Sequence, residues 1–406
     1  MPQAFVDLPE LIGTLDLGEA TLRWAARDYG GVVHHPPTAV LRPANAADIS
    51  TVIRYAHRHG LQVVPRGQGH STSGQAQTPG GVVVDMNQLN DIHEVRPDRV
   101  IVDAGARWSD VLRATLPHGL TPPVLTDYLE LSVGGTLSVG GLGGASHHHG
   151  AQTDNVLCLD VVAPSGAIVS CGPDDNREVF DAVRAGRGRH GIITRATLRL
   201  VPAPNTVTWH KLHYDTVDHL VADQQHLVNA GVFDYVEGQL KIRDGQRVAE
   251  LEAVTFTGVS VGHGRLDGLA FRDVDSRTTS FWDFVNRLAD GEPLLRDVGL
   301  WDSPHPWCNM LLPSNAAVDL LRHIEGELGA DLYSDFGLVL AYPLRTDRIS
   351  TPRLSRPDDE IVFLVAALRY APADAPQVVA AMQAANDVLV AKVLQAGGRL
   401  YLEPLP

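Results

Sequence analysis

The chain has 406 residues, of which 44% are hydrophobic and 20% charged, and its formal net charge is −15. That length predicts two or three domains, and that composition excludes bulk disorder. The acidic balance, with no run of Lys or Arg, argues against nucleic-acid and membrane-surface partners.

Three cysteines, Cys158, Cys171 and Cys308, are too few and too scattered for a disulfide framework and read as buried thiols. The N-terminus lacks a basic start followed by an apolar stretch, and no run of about 18 apolar residues occurs. Neither a secretory signal nor a membrane span is expected, and the expected location is the cytoplasm.

In chain order, Ile49, Val52, Ile53 and Ala56 recur at helical spacing between Asn45, a side-chain cap, and Gly60, a stop. LQVV is a short strand, PRGQGHSTSGQ a Gly-rich loop, GVVVDM and RVIVDAGARW strands, and SDVLRATLPHG a helix. Residues 131–150 are so dense in Gly, Ser and His that no regular element is expected there, only backbone lying close to a ligand. NVLCLDVVAP and AIVSC read as a hairpin turning on Pro-Ser-Gly, REVFDAVRAG as a helix and IITRATLRLVPAP as a strand. VPAPN, at residues 201–205, marks a domain boundary. Beyond it, strand-like runs (206–210, 233–240, 249–256) alternate with helical ones (219–230, 280–288, 316–328, 375–395), predicting helices packed on an antiparallel sheet.

Four features bear chemistry. In PRGQGHSTSGQ, Gly67 and Gly69 let backbone N–H groups approach an anion, Ser71 and Gln75 add side-chain hydrogen bonds, and His70 is a candidate nucleophile; an ordinary surface turn has the same spacing. GGTLSVGGLGGA suits a pyrophosphate cradle or a mobile loop equally. TDYLEL sets Asp127 and Glu130 among apolar neighbours, where a carboxylate can serve in proton transfer, although a surface pair fits as well. LWDSPHPWCNM packs Trp301, His305 and Trp307 on a stiff loop, suited to stacking on a flat ring or to a core. Two other patterns are set aside. GRGRHG, residues 186–191, matches G-x-G-x-x-G, but a helix precedes it and a strand follows, the reverse of a dinucleotide fingerprint. His147, His148 and His149 are adjacent, so their side chains diverge, and no second ligand cluster accompanies them.

RGQGHSTSGQ, HGLTPPVLTDYLELSVGGTLSVGG, HHHGAQTDNVLCLDVV, GRHGIITRA, FDYVEG and GLWDSPHPWCNM occur in that order. From about Val32 to Leu402 the chain resembles the cytokinin dehydrogenase branch of the vanillyl-alcohol oxidase flavoproteins. The resemblance implies an α+β, two-domain architecture: a PCMH-type FAD-binding domain over residues 1–203 and an α+β substrate domain over 204–402. It implies FAD linked covalently to His70 through the flavin 8α-methyl carbon. Contacts to the cofactor fall on Gly67, Gln68, Gly69, Ser71, Gln75, Ser132, Ser138, Leu142 and Ile192, with Asp127 and Tyr401 beside them. No Cys lies between Asp127 and Leu137, so a single attachment is expected.

The implied catalytic residues are Asp127, which hydrogen-bonds the substrate amine and takes its proton, and Glu252, which contacts the adenine ring. Trp301 or Trp307 lines the substrate pocket. The implied reaction transfers a hydride from the side chain of an N6-isoprenoid adenine, and the imine product hydrolyses to adenine and an aldehyde. A quinone-like acceptor or oxygen reoxidises the flavin. Relatives continue past Tyr401-Leu402 into a tail that returns a Gln to the flavin ring; the sequence here ends EPLP, so that tail is expected to be missing. A flavin oxidase acting on another amine or alcohol, and a binding protein without flavin, are the alternatives to this reading.

Overall fold

The computed structural model describes residues 5–256, 265–329, 332–333 and 336–402. Its N-terminal half begins with a four-stranded sheet in the order Thr14–Asp16, Ala39–Arg42, Val82–Asp85, Val63–Arg66, whose last three strands are parallel. The helix Ala46–His59 makes the crossover. Asn45 Oδ1 accepts from Ala47 N–H (2.8 Å) and Asp48 N–H (3.2 Å), and Gly60 closes the helix with φ 66°. A second, antiparallel sheet runs Ile92–Arg96, Arg99–Asp103, Ile192–Arg199, Val156–Val162, Ile168–Cys171. Its last pair is the expected hairpin, turning through Gly166 at φ 79°. Leu41, Ile49, Val84, Val102, Leu159 and Ala196 knit the two sheets into one core.

The C-terminal half is an eight-stranded antiparallel sheet. Its order is Asp273–Ser280, Thr206–Tyr214, Gln246–Thr255, Tyr235–Arg243, Leu338–Arg345, Ile361–Leu368, Cys308–Pro313, Arg399–Leu400. Side chains alternate strictly between its faces. Leu212, Val236, Leu240, Leu251 and Ala253 face one core, shared with the helices Val217–Ala230, Ser314–Glu327 and Pro376–Gln395. The last of these is long and apolar enough to cross a bilayer by length and composition alone; here Leu389 and Val393 bury its inner face in that core. The in-between residues of the sheet, among them Trp209, Tyr235 and Tyr342, turn toward the N-terminal half.

The strands Asp273–Ser280, Cys308–Pro313, Leu338–Arg345 and Ile361–Leu368 go beyond those expected from the sequence. The Gly-rich stretch 131–150 is also corrected. It contains two short helices, Val133–Leu137 and Ser146–His149, because Val133 and Leu137 find core positions that anchor a turn despite Gly134 and Gly135. As expected, the three cysteines are free; Cys171 and Cys308 are buried, which pushes each thiol up to about 12.

Gly143 packs under the 121–131 loop. A Cβ there would sit 2.1 Å from the Leu125 carbonyl oxygen, so only glycine lets that loop close against the Gly-rich stretch. Gly143→Ala should therefore destabilise the protein by about 1–3 kcal/mol. Urea denaturation measures this, and an unchanged midpoint would show that the loop yields freely.

Candidate active site

The strand Val63–Arg66 runs out into the loop carrying His70. Gly69 adopts φ 70°, and a Cβ on Gly67 would lie 2.0 Å from Ser132 Oγ. The loop is tied down through its carbonyls: Tyr29 N–H donates to Gly69 O (2.8 Å) and Gly30 N–H to Ser71 O (3.0 Å). Among the described residues, the N–H groups of Gly67 to Ser71 find no protein acceptor. Beside them Arg66 is buried, its Nη1 donating to Arg27 O (2.6 Å) and its Nε without a partner. Free backbone donors around a buried guanidinium with an unpaired Nε fit an anionic group such as a pyrophosphate. Gln68 Nε2 donates to Asn87 Oδ1 (2.5 Å), Ser71 Oγ to Asp28 Oδ2 (3.1 Å), and Gln75 Oε1 accepts from Ser73 N–H (3.0 Å).

His70 is stacked on both faces, by Tyr29 at 3.9 Å and Tyr128 at 5.0 Å between ring centroids. Tyr29 in turn stacks on His305 at 4.0 Å. Trp301 and Trp307 close the column at its sides, 5.9 and 6.2 Å from His70. Burial, and the neighbouring His305, push the His70 imidazole down to about 3, so at neutral pH it is uncharged and one of its two ring nitrogens carries no proton. Ser132 and Ser138 cap the two ends of the Val133–Leu137 helix next to this loop. Leu142 and Ile192 are buried, and Tyr401 Oη accepts from Gly141 N–H (3.0 Å).

Asp127, one residue before Tyr128, points into a different environment. Tyr235 Oη donates to its Oδ1 at 2.6 Å, Arg287 Nη2 to the same oxygen at 3.1 Å and Tyr342 Oη to its Oδ2 at 2.5 Å. Arg287 also reaches Glu237 Oε2 (3.2 Å) and, through Nε, Glu252 Oε2 (3.3 Å). Lys211 approaches Glu252 Oε1 at 3.3 Å. A small, mostly apolar recess opens on this cluster, walled by Pro122, Leu125, Phe256, Phe281, Phe284 and Val285, with Asp127, Tyr235 and Arg287 at its floor.

The residues singled out in the sequence thus fall into two adjoining groups. Gly67, Gln68, Gly69, His70, Ser71, Trp301 and Trp307 gather on one side of the Asp127–Tyr128 step, and Asp127 and Glu252 on the other. The two tryptophans are not among the recess walls. Glu130 pairs with Arg107 at the surface (2.9 Å), the bland alternative for that carboxylate. Tyr29, Tyr342, Glu237 and Arg287 were not singled out; FDYVEG held Tyr235 and Glu237 in plain view, whereas Arg287 sits in an unremarkable helical run.

Residues 37–172 match the FAD binding domain family, and residues 204–263 and 266–403 match the family described as cytokinin dehydrogenase 1, FAD and cytokinin binding. An uncharacterized oxidoreductase from the fasciation locus of Rhodococcoides fascians is 40% identical over 93% of this chain and 86% of its own. Cytokinin dehydrogenase 10 of Oryza sativa subsp. japonica is 36% identical over 86% of this chain and 72% of its own. Cytokinin dehydrogenase 2 of Arabidopsis thaliana is 32% identical over 92% and 83%. Fold and site together define an FAD-dependent oxidoreductase with separate FAD-binding and substrate-binding domains. The chain belongs to the cytokinin dehydrogenase family.

The buried imidazoles carry a consequence for stability. Burial pushes His70 down to about 3 and His147 and His305 to about 4, from 6.5. Between those values the unfolded chain binds more protons than the folded one, so stability is lost as pH falls below about 6.5. The melting temperature should drop between about pH 7 and pH 5 and drop less in His305→Gln. Parallel curves for variant and wild type would assign the acid lability elsewhere.

Proposed function

We propose that the protein oxidises the side-chain amine of N6-isoprenoid adenine cytokinins, with residues 1–203 holding FAD covalently on His70 and residues 204–402 forming the substrate domain. The observation that carries this reading is Asp127, a carboxylate held by three donors at the floor of an apolar recess. FAD, when bound, supplies the hydride acceptor. Gly67, Gln68, Gly69, Ser71 and Arg66 would hold its phosphates, and His70, neutral and fixed by stacking, would carry the 8α-methyl linkage.

The recess walls receive the isoprenoid chain and exclude water from it. Asp127 accepts the amine proton as hydride leaves the adjacent carbon, giving an imine that hydrolyses to adenine and an aldehyde. Glu252, paired with Arg287 through Oε2 and with Lys211 through Oε1, would take the adenine ring as a further partner. The reducing equivalents pass on to a quinone-like acceptor or to oxygen. This reading also accords with the plant relatives, which are cytokinin dehydrogenases by name.

Asp127→Asn should slow flavin reduction by a cytokinin roughly 10²–10⁴-fold with little change in the visible spectrum. Equal rates in stopped-flow traces of mutant and wild type would remove Asp127 from the role. Denaturing gels under ultraviolet light should show a fluorescent band that His70→Ala abolishes. Release of all the flavin into an acid supernatant would refute the covalent link.

A further inference from the structure

At the floor of the recess three oxygens stand in a row: Asp127 Oδ1, Tyr235 Oη and Glu237 Oε2. Tyr235 Oη is within hydrogen-bond reach of both carboxylates, 2.6 Å from the first and closer to the second. A phenol has one proton to give and two lone pairs to accept with. It cannot serve two carboxylates, so a second proton belongs to the row.

Asp127 already has three donors. Glu237 is fully buried, and its other oxygen accepts from Gln239 Nε2 at 2.6 Å. The charges point the same way. Around Arg287 three acids, Asp127, Glu237 and Glu252, meet two cations, Arg287 and Lys211, while Glu250 pairs with Lys241. One proton on an acid makes the buried group neutral, which a dry interior favours.

We propose that Glu237 is the positioning residue of the site: it holds a proton at neutral pH, donates it to Tyr235 Oη, and so turns the Tyr235 O–H onto Asp127. Tyr235 Oη then uses its full capacity, donating to Asp127 and accepting from Glu237 and from Arg287 Nη2 at 2.6 Å. The proposal deepens, and rests on, the assignment of Asp127 as proton acceptor.

The ionisable groups facing Glu237 come from every neighbouring element. They are Asp127 from the 121–131 loop, Tyr235 on its own strand, Tyr342 from Leu338–Arg345, Glu252 from Gln246–Thr255, and Arg287 beyond the Phe281–Val285 helix. Burial and the Asp127 charge push Glu237 well above the usual carboxylate range, and burial also raises both phenols, so neither Tyr235 nor Tyr342 releases its proton first. When Glu237 does ionise at alkaline pH, it draws the Tyr235 hydrogen to itself, and Asp127 loses a donor.

Infrared difference spectra of the FAD-loaded enzyme without substrate, between about pH 7 and pH 10, test the proton directly. Wild type should show the carbonyl band of a buried carboxylic acid at neutral pH, and Glu237→Gln should lack it. Turnover of N6-isopentenyladenine should show an alkaline limb that Glu237→Gln removes, since its amide donates at any pH. Glu237→Leu, with no donor, should have a kcat about 10-fold below that of Glu237→Gln, with KM little moved.

Absence of the neutral-pH band in wild type, or equal kcat in the two variants, overturns the proposal. If Glu237→Gln does not fold, Tyr235→Phe serves instead; it removes the acceptor of the proton and should shift the band, and an unmoved band overturns the assignment. A band that behaves as described in an enzyme inert toward cytokinins supports the placement of the proton and sinks the substrate assignment alone.

Discussion

Arg287 is the charge around which the two halves are arranged. Taking a guanidinium out of water costs several kcal/mol, and only well-placed acceptors offset it. Here the acceptors come from three places: Asp127 from a loop of the N-terminal half, and Glu237 and Glu252 from neighbouring strands of the eight-stranded sheet. Phe284 and Tyr235 lie 4.9 and 5.2 Å from its guanidinium carbon, which fixes its plane as well as its position. Removing Asp127 or Glu252 leaves charge buried without its counterpart, a loss of about 3–5 kcal/mol in comparable settings. The group that assembles the site is therefore also one that holds the halves in register.

That register needs close approach of backbone, and the glycines of the 131–150 stretch supply it. Gly143 admits the Leu125 carbonyl, and Gly144 lies under the Tyr235 ring, where a Cβ would be 2.5 Å from the ring carbons. Val236 N–H then donates to Gly144 O (3.1 Å), so the sheet is bonded to the Gly-rich segment at the point where Tyr235 enters the acid cluster. His147 lies between Gly144 O and Phe233 O and, when neutral, donates to one of them at the same junction. The density of glycine in this segment therefore reflects close contact with protein.

Much of this was legible in the sequence. The Asn45 cap, the Gly60 stop, the Pro164–Gly166 hairpin and the inverted context of GRGRHG each follow from local chemistry and appear as expected. The short helix Val133–Leu137 was not legible, because its stability comes from Val133 and Leu137 reaching a core that only the folded sheets create. The strand Asp273–Ser280 was hidden for a related reason: its alternation is almost wholly polar, and it exists as an edge paired along Thr206–Tyr214. Of the site, the Gly-flanked His70 and Asp127 stand out by motif. Arg287, Tyr342 and Tyr29 do not, since their roles depend on partners 160, 215 and about 41 residues away, and no spacing rule spans such distances.

The division at Asp127–Tyr128 lets one short loop reach two different environments. Adjacent side chains of an extended segment point to opposite sides. Tyr128 joins the aromatic column that fixes His70, while Asp127 turns into the acid cluster. The column is neutral and dry, which suits holding a flat ring; the cluster is charged but balanced, which suits moving a proton. A proton acceptor placed among mobile charges would reorganise as it changed charge, and the reorganisation would add to the barrier. Asp127 instead sits among donors whose own positions are set by Arg287 and the sheet. The apolar walls beside it disfavour a buried charge and favour neutral, apolar groups, so the recess and the charged cluster divide the site by polarity.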